Sequence, residues 1–187
     1  MHKNPPAPDS ENASSPAERA GNVVFIIGGA RSGKSAFAES RMKTLPPPWI
    51  YIATAQALDD EMRARIAMHQ AGRDARWRTL EAPHGLAAAL VDAPQDAPAL
   101  VDCLTLWLTN RLLADADVET ERASLVAALV ARRAPTIVVS NEVGLGIVPD
   151  NALARRFRDE AGFLHQAVAA IASEVHLMVA GLSIRAK

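Results

Sequence analysis

One cysteine, Cys103, stands among 187 residues. No disulfide can close within the chain, no cysteine-rich metal site can form, and a reducing compartment suits it. Charge of one sign is missing too. The 20 Lys and Arg against 21 Asp and Glu leave a net charge of −1, whereas a general nucleic-acid surface carries a basic surplus. Nucleic acid therefore drops out as a leading partner. No apolar run approaches the roughly 20 residues that a membrane helix needs. The first 21 residues, MHKNPPAPDSENASSPAERAG, lack the apolar centre of a signal peptide. They are expected to form a disordered tail, with the protein in the cytoplasm. No two histidines have metal-ligand spacing on one helix, which argues against zinc. There is no internal repeat and no interior linker, so 22–187 is expected to be one domain.

About half of the residues are hydrophobic, 49%, enough for a real core. The short apolar run at 23–27 ends in glycines and reads as a buried parallel strand. Further strands are expected at 49–53, 99–103, 135–141 and 175–181. Helices are expected at 35–42, 57–70, 84–93, 104–116 and 119–133. A long one should run from Pro149 to about Glu174, with Leu153, Phe157, Leu164, Val168 and Ile171 on its apolar face. Strands alternating with helices predict an α/β fold, a mostly parallel sheet with helices on both faces.

The segment GGARSGKS joins the first strand to the first helix. It contains Gly28, four residues, then Gly33-Lys34-Ser35, the G-x-x-x-x-G-K-[ST] phosphate loop. Its glycines let successive N–H groups face phosphate oxygens, and the following helix adds its positive end. Lys34 can reach the β- and γ-phosphates, and the Ser35 hydroxyl can ligate Mg²⁺. The plain alternative is a glycine-rich turn with a chance Lys-Ser, which the flanking strand and helix oppose. Asp102 ends an apolar strand, where a second Mg²⁺-associated carboxylate belongs; alone it would only start a turn. Asn141 and Glu142 should lie on the same carboxyl edge, where ligands of open α/β sheets gather. That makes Glu142 either a metal or substrate carboxylate or a solvated turn residue.

Leu58, Met62, Ile66 and His69 share one face of the helix at 57–70. Alone, His69 would be the polar end of an apolar stripe. Arg73, Arg76 and Arg78 follow in what reads as a short loop, with Asp74 and Glu81 as counter-charges if it is only a solvated surface. Beside a phosphate loop the combination gains meaning. A neutral imidazole is a good nucleophile toward phosphorus, and arginine forks match phosphate oxygens. His2, His84, His165 and His176 read as structural or surface residues.

Several segments together, GGARSGKS, YIATAQALDDEMRARIAMHQAGR, WRTLEAP, VDCLTLWLTN and VSNEVGLGIVPDNALARRFRDEAGFLHQ, resemble the bifunctional adenosylcobinamide kinase / adenosylcobinamide-phosphate guanylyltransferase family of cobalamin synthesis. The resemblance spans about residue 23 to the C-terminus. It implies a RecA-like P-loop NTPase fold and two activities. One phosphorylates the aminopropanol hydroxyl of adenosylcobinamide with ATP or GTP. The other moves GMP from GTP onto that phosphate, giving adenosylcobinamide-GDP and pyrophosphate. The histidine that carries GMP in the family matches His69, with Lys34 as the other catalytic residue. Nucleotide contacts match Gly28, Gly29, Ala30, Arg31, Ser32, Gly33, Lys34, Ser35, Ala53, Thr54, Ala55, Gln70, Ala71, Gly72, Arg73, Glu81 and Asp102. Mg²⁺ would rest on Ser35 and Asp102, and the family assembles as a homotrimer. Family members often carry more basic residues around the histidine; here Met68 and Gln70 flank it, which is expected to tune affinity. A different P-loop kinase, or a nucleotide-dependent binding module, remains open at this point. A GTPase switch is disfavoured by the lack of an N-K-x-D motif.

Overall fold

In the computed structural model, residues 22–57 and 59–187 are described, apart from the side chains at 61, 62, 65, 69 and 70; the expected tail at 1–21 and Leu58 lie outside the described residues. Among the described residues the chain order is β1 (Val23–Gly28), α1 (Lys34–Met42), β2 (Trp49–Ala53), α2 (Asp60–Ala71), β3 (Trp77–Glu81), α3 (Leu86–Asp92), β4 (Ala99–Asp102), α4 (Leu104–Leu113), α5 (Val118–Ala131), β5 (Thr136–Asn141), α6 (Ala152–Ile171), β6 (Glu174–Val179) and β7 (Leu182–Arg185). These seven strands form one sheet in the order β3-β2-β4-β5-β1-β6-β7. Every pairing is parallel except β6 with β7. No helix among the described residues is long and apolar enough to cross a membrane.

The alternation of side chains along each strand sorts the core onto two faces. Val23 and Phe25 of β1, Ile50 and Ile52 of β2, Val101 of β4 and Val138 of β5 pack under α3, α4, α5 and α6. Their neighbours Ile26, Trp49, Tyr51, Leu100, Ile137 and Val139 point the other way, against Ala38 and Met42 of α1. A single short helix covers much less of that second face, and the open part becomes the site. On the thick side Arg132, just past α5, is buried with its charge. That is tolerable because its guanidinium donates to the carbonyls of Leu90, Pro94 and Ala97 and to the Thr136 hydroxyl.

Four expectations are corrected. The segment after α2 is not all loop: Arg78 and Glu81 lie on β3, an edge strand that buries too little to announce itself. Helix α2 begins at Asp60 rather than at 57. The long helix begins at Ala152, not Pro149, because the Asn151 side chain accepts from the Ala154 N–H and caps it there. It ends at Ile171, and Glu174 already belongs to β6. Its apolar face buries Ala161, Leu164 and Val168, while Leu153 is exposed. Finally, 175–181 is not the last strand. Ala180 and Gly181, both with positive φ of 50° and 81°, turn the chain back into β7 as a two-residue hairpin requires.

His165 of α6 reaches the sheet, its Nε2 2.7 Å from the Ser140 hydroxyl. Burial pushes its pKa down to about 4, against a smaller upward pull from Glu142. The unfolded chain, with a value near 6.5, therefore takes up a proton between these two pH values that the folded chain excludes. Stability is full above pH 6.5 and falls as pH drops toward 4, by about 3 kcal/mol in all. Urea unfolding of wild type and His165→Gln across that window checks this: the variant should show the shallower pH dependence.

Candidate active site

The phosphate loop takes its shape from three backbone positions. Arg31 and Gly33 have positive φ, 54° and 95°, the left-handed region that glycine enters without penalty. Gly28 is needed for a different reason: a Cβ there would lie 2.5 Å from the Met178 carbonyl oxygen and 2.8 Å from Ser32 Oγ. The β6–β7 hairpin braces the loop from behind, since Gly181 N donates to Ser32 O at 3.0 Å and a Cβ on Gly33 would meet Gly181 Cα at 3.2 Å. Gly28→Ala is therefore expected to cost about 1–3 kcal/mol, read as a lower urea midpoint, and to weaken nucleotide binding through the displaced Ser32. Lys34 opens α1 and is buried; its Nζ donates to Gly29 O at 2.6 Å. The N-cap residue of α1, Gly33, makes no side-chain cap hydrogen bond, and the positive end of the helix suits an anion.

A cavity of about 510 Å³ opens above this loop. Ala30, Arg31, Ser32, Gly33, Lys34 and Ser35 form one wall, and Ala53, Ala55, Arg73, Glu81 and Asp102 form much of the rest. Sheet register explains the second wall. Ala53 pairs with Asp102 on β4 and with Glu81 on β3, and Tyr51 pairs with Thr79. Paired residues in parallel strands face the same way, so Tyr51, Ala53, Thr79, Glu81 and Asp102 all look into the cavity on the thinly covered face.

Ser35 Oγ donates to Asp102 Oδ2 at 3.3 Å, and Tyr51 OH donates to the same oxygen at 3.0 Å. Ser35 and Asp102 thus offer two hard oxygen donors side by side beneath the phosphate positions, a donor set that fits Mg²⁺. Burial first, then the Asp102 charge, raises the Tyr51 pKa far above its ordinary value, so it stays a phenol donor. Arg73 Cζ lies 3.3 Å over the Tyr51 ring and its Nη1 donates to Thr79 Oγ1 at 3.1 Å. Cys103 also lines the cavity, but burial and then Asp102 push its thiol up, so it is no thiolate nucleophile.

Other expected site residues take different places. Gly28 and Gly29 shape the loop from below the cavity. Thr54 is fully buried and clamps the turn after β4, donating to Cys103 O and accepting from Cys103 N, both at 2.7 Å. Ala71 and Gly72 are exposed where α2 ends and are not brought to the cavity wall. His69 and Gln70 lie on α2 by backbone, and their side chains are outside the description. Ile66 does line the cavity, so α2 passes along its rim. Glu142 turns out to be a turn residue: its carboxylate accepts from Gly144 N and Leu145 N. Its neighbour Asn141 faces the cavity instead and donates to Thr105 Oγ1. Tyr51 and Thr79 were missed; the available signal was their spacing of two from Ala53 and Glu81. The three histidines His84, His165 and His176 each lie within hydrogen-bonding distance of protein side chains.

A phosphate loop between a central parallel strand and a helix, with Lys34, Ser35 and a β4 carboxylate facing one cavity, defines a P-loop nucleotide-binding protein. The solved structure of an ATPase from the type III secretion system of pathogenic bacteria agrees in fold, with a TM-score of 0.52 at 13% identity, covering 91% of this chain and 60% of that one. Sequence relatives narrow the class. The family described as cobinamide kinase / cobinamide phosphate guanyltransferase matches residues 24–186. The bifunctional adenosylcobalamin biosynthesis protein CobP of Pseudomonas aeruginosa is 52% identical over 166 residues, covering 87% of this chain and 96% of that protein. The corresponding protein CobU of Salmonella typhimurium is 42% identical over 182 residues, covering 88% and 99%. The chain belongs to the cobinamide kinase / cobinamide phosphate guanyltransferase family.

Proposed function

We propose that this enzyme phosphorylates the free hydroxyl of adenosylcobinamide with a nucleoside triphosphate, then transfers GMP from GTP to the new phosphate through His69. The observation that carries this reading is the cavity itself. It joins the phosphate loop, the Ser35–Asp102 pair and residues on both sides of position 69, Ile66 before it and Arg73 after it.

In the kinase half, the loop N–H groups and Lys34 hold the triphosphate. The substrate hydroxyl oxygen attacks the γ-phosphorus, the bond to the bridging oxygen breaks, nucleoside diphosphate leaves, and the hydroxyl proton is released to solvent. This chain's contribution is positioning and charge neutralisation. Mg²⁺, held by Ser35 and Asp102, would add positive charge against the phosphate oxygens. In the transferase half, an imidazole nitrogen of His69 attacks the α-phosphorus of GTP and pyrophosphate leaves. A phosphate oxygen of adenosylcobinamide phosphate then attacks the same phosphorus, the P–N bond breaks, and the imidazole is restored. Covalent catalysis divides one difficult displacement into two. Position 69 follows Ile66 by three residues, a spacing that shares a helical face. Arg73, which lines the cavity, would offset charge on the transferring phosphate. The Glu81 carboxylate suits the N–H edge of guanine.

In the same reading residues 22–187 are the catalytic domain, the enzyme works in the cytoplasm as a homotrimer, and it engages no nucleic acid. Light scattering at three chain masses checks the assembly. The chemical test is incubation with GTP labelled at the α- or the γ-phosphate. The expected result is α-label retained on protein, labile to acid and stable to base, and released by adenosylcobinamide phosphate. Retention of γ-label, or of neither, would overturn the covalent route.

A further inference from the structure

The chain has one tyrosine and eight aromatic side chains of Phe, Trp and Tyr in all. Three of these, Trp49, Tyr51 and Trp77, meet at one end of the sheet, with ring centroids 5.1 Å and 6.2 Å apart. Tyr51 alone of the three lines the cavity. It is buried to 5% exposure, yet both ends of its side chain meet groups of the site. The hydroxyl donates to Asp102 Oδ2 at 3.0 Å, the oxygen that Ser35 also reaches. The ring face carries the Arg73 guanidinium at 3.3 Å.

Arg73 depends on that ring. Among the described residues its Nη1 donates to Thr79 Oγ1, and its Nε is buried without a hydrogen-bond partner. Stacking on the ring therefore holds this guanidinium alongside the bond to Thr79. Tyr51, for its part, cannot drift. It sits in the middle of β2 between β3 and β4, paired with Thr79 on one side and Leu100 on the other. Its rigid ring sets the distance between the Asp102 carboxylate and Arg73, two charged groups that lie far apart in the chain and face the same cavity.

We infer that Tyr51 is a positioning residue for both half-reactions: its hydroxyl orients the Asp102 carboxylate beneath the triphosphate, and its ring is the platform that aims Arg73 at the transferring phosphate. The inference rests on the proposed function for the meaning of the two halves. Its geometry is independent of His69. The hydroxyl and the ring can be removed separately, so the two roles separate in experiment. Tyr51→Phe keeps the platform and frees Asp102. Tyr51→Leu removes both. Thr79→Val loosens Arg73 from the other side without touching the buried ring.

The test uses the full chain and a fluorescent GTP analogue, titrated with Mg²⁺ and again in chelator, beside retention of α-label from GTP. Wild type should bind more tightly with Mg²⁺. Tyr51→Phe should lose about fivefold to tenfold of that Mg²⁺-dependent tightening, with binding in chelator close to wild type and α-label retention at saturating GTP and Mg²⁺ slowed no more than about threefold. Tyr51→Leu should lose the same tightening and in addition slow α-label retention about tenfold. Thr79→Val should slow retention about threefold and keep the Mg²⁺ effect; it stands in for the leucine variant if that chain does not fold. Equal slowing of α-label retention in Tyr51→Phe and Tyr51→Leu, or an undiminished Mg²⁺ effect in Tyr51→Phe, would overturn the inference. Absence of α-label from wild type would instead sink the covalent route and leave the Mg²⁺ comparison between wild type and Tyr51→Phe to decide the role of the hydroxyl.

Discussion

His69→Ala is expected to retain no α-label from GTP and to make adenosylcobinamide-GDP at least about a thousandfold more slowly, the scale on which removal of a covalent nucleophile acts. Phosphorylation of adenosylcobinamide by γ-phosphoryl transfer should survive in the same preparation. The reason is a division of labour in the site. In the proposed mechanism Lys34, Ser35 and Asp102 hold the triphosphate without help from α2: Lys34 is anchored to the loop at Gly29 O, and Ser35 and Asp102 are bonded to each other. Ile66 of α2 and Arg73 just after it lie at the rim, and in the proposed mechanism the histidine between them is needed only where phosphorus becomes bonded to nitrogen. A phosphoramidate is broken by acid, because protonated imidazole leaves easily, and it resists base. The control is His84→Ala. His84 is exposed between β3 and α3, outside the cavity lining, with its ring nitrogens near Gln56 and Arg111, and its loss should leave α-label retention intact. Label lost equally from both variants would mean that position 69 has no special part.

How much of this could be read in the sequence follows from how local each feature is. The phosphate loop was legible because strand, glycines, Lys34 and helix occupy one unbroken segment, and each residue type there answers a backbone or phosphate requirement. Asp102 was legible at one remove, since a strand's last residue on the carboxyl edge faces the ligand. Tyr51 and Thr79 were not, although the rule that places them is simple. They enter the site only when β2 lies between β3 and β4 in register, and β3 itself was hidden. Its burial alternates weakly because an edge strand needs little core. The hairpin strand β7 escaped notice for the same reason: all four of its residues are exposed. The exchange of Glu142 for Asn141 turned on a single residue. At a strand end, one step decides whether a side chain faces the cavity or the turn beyond it, and Glu142 met free N–H groups in that turn.

Lys34→Met should act on both half-reactions together, lowering each about a hundredfold to a thousandfold, and so behave unlike His69→Ala. Methionine fills nearly the same volume, and Lys34 is almost fully buried at the start of α1, so the helix and the loop backbone have no steric reason to move. What disappears is the ammonium of the phosphate loop. In the proposed γ-transfer it would neutralise charge on the leaving diphosphate. In the proposed α-transfer it would face the leaving pyrophosphate, in the same β- and γ-phosphate positions. The cavity, about 510 Å³, is of a size to hold about one nucleotide, within the ordinary range for a small-molecule site. The proposal therefore has the two triphosphates taking turns on one loop. Paired rate measurements on one preparation of Lys34→Met decide this. A proportional fall in both rates is expected. Loss of phosphorylation with guanylyl transfer intact would mean that the GTP which labels the protein binds away from Lys34, and the one-site mechanism would have to be abandoned.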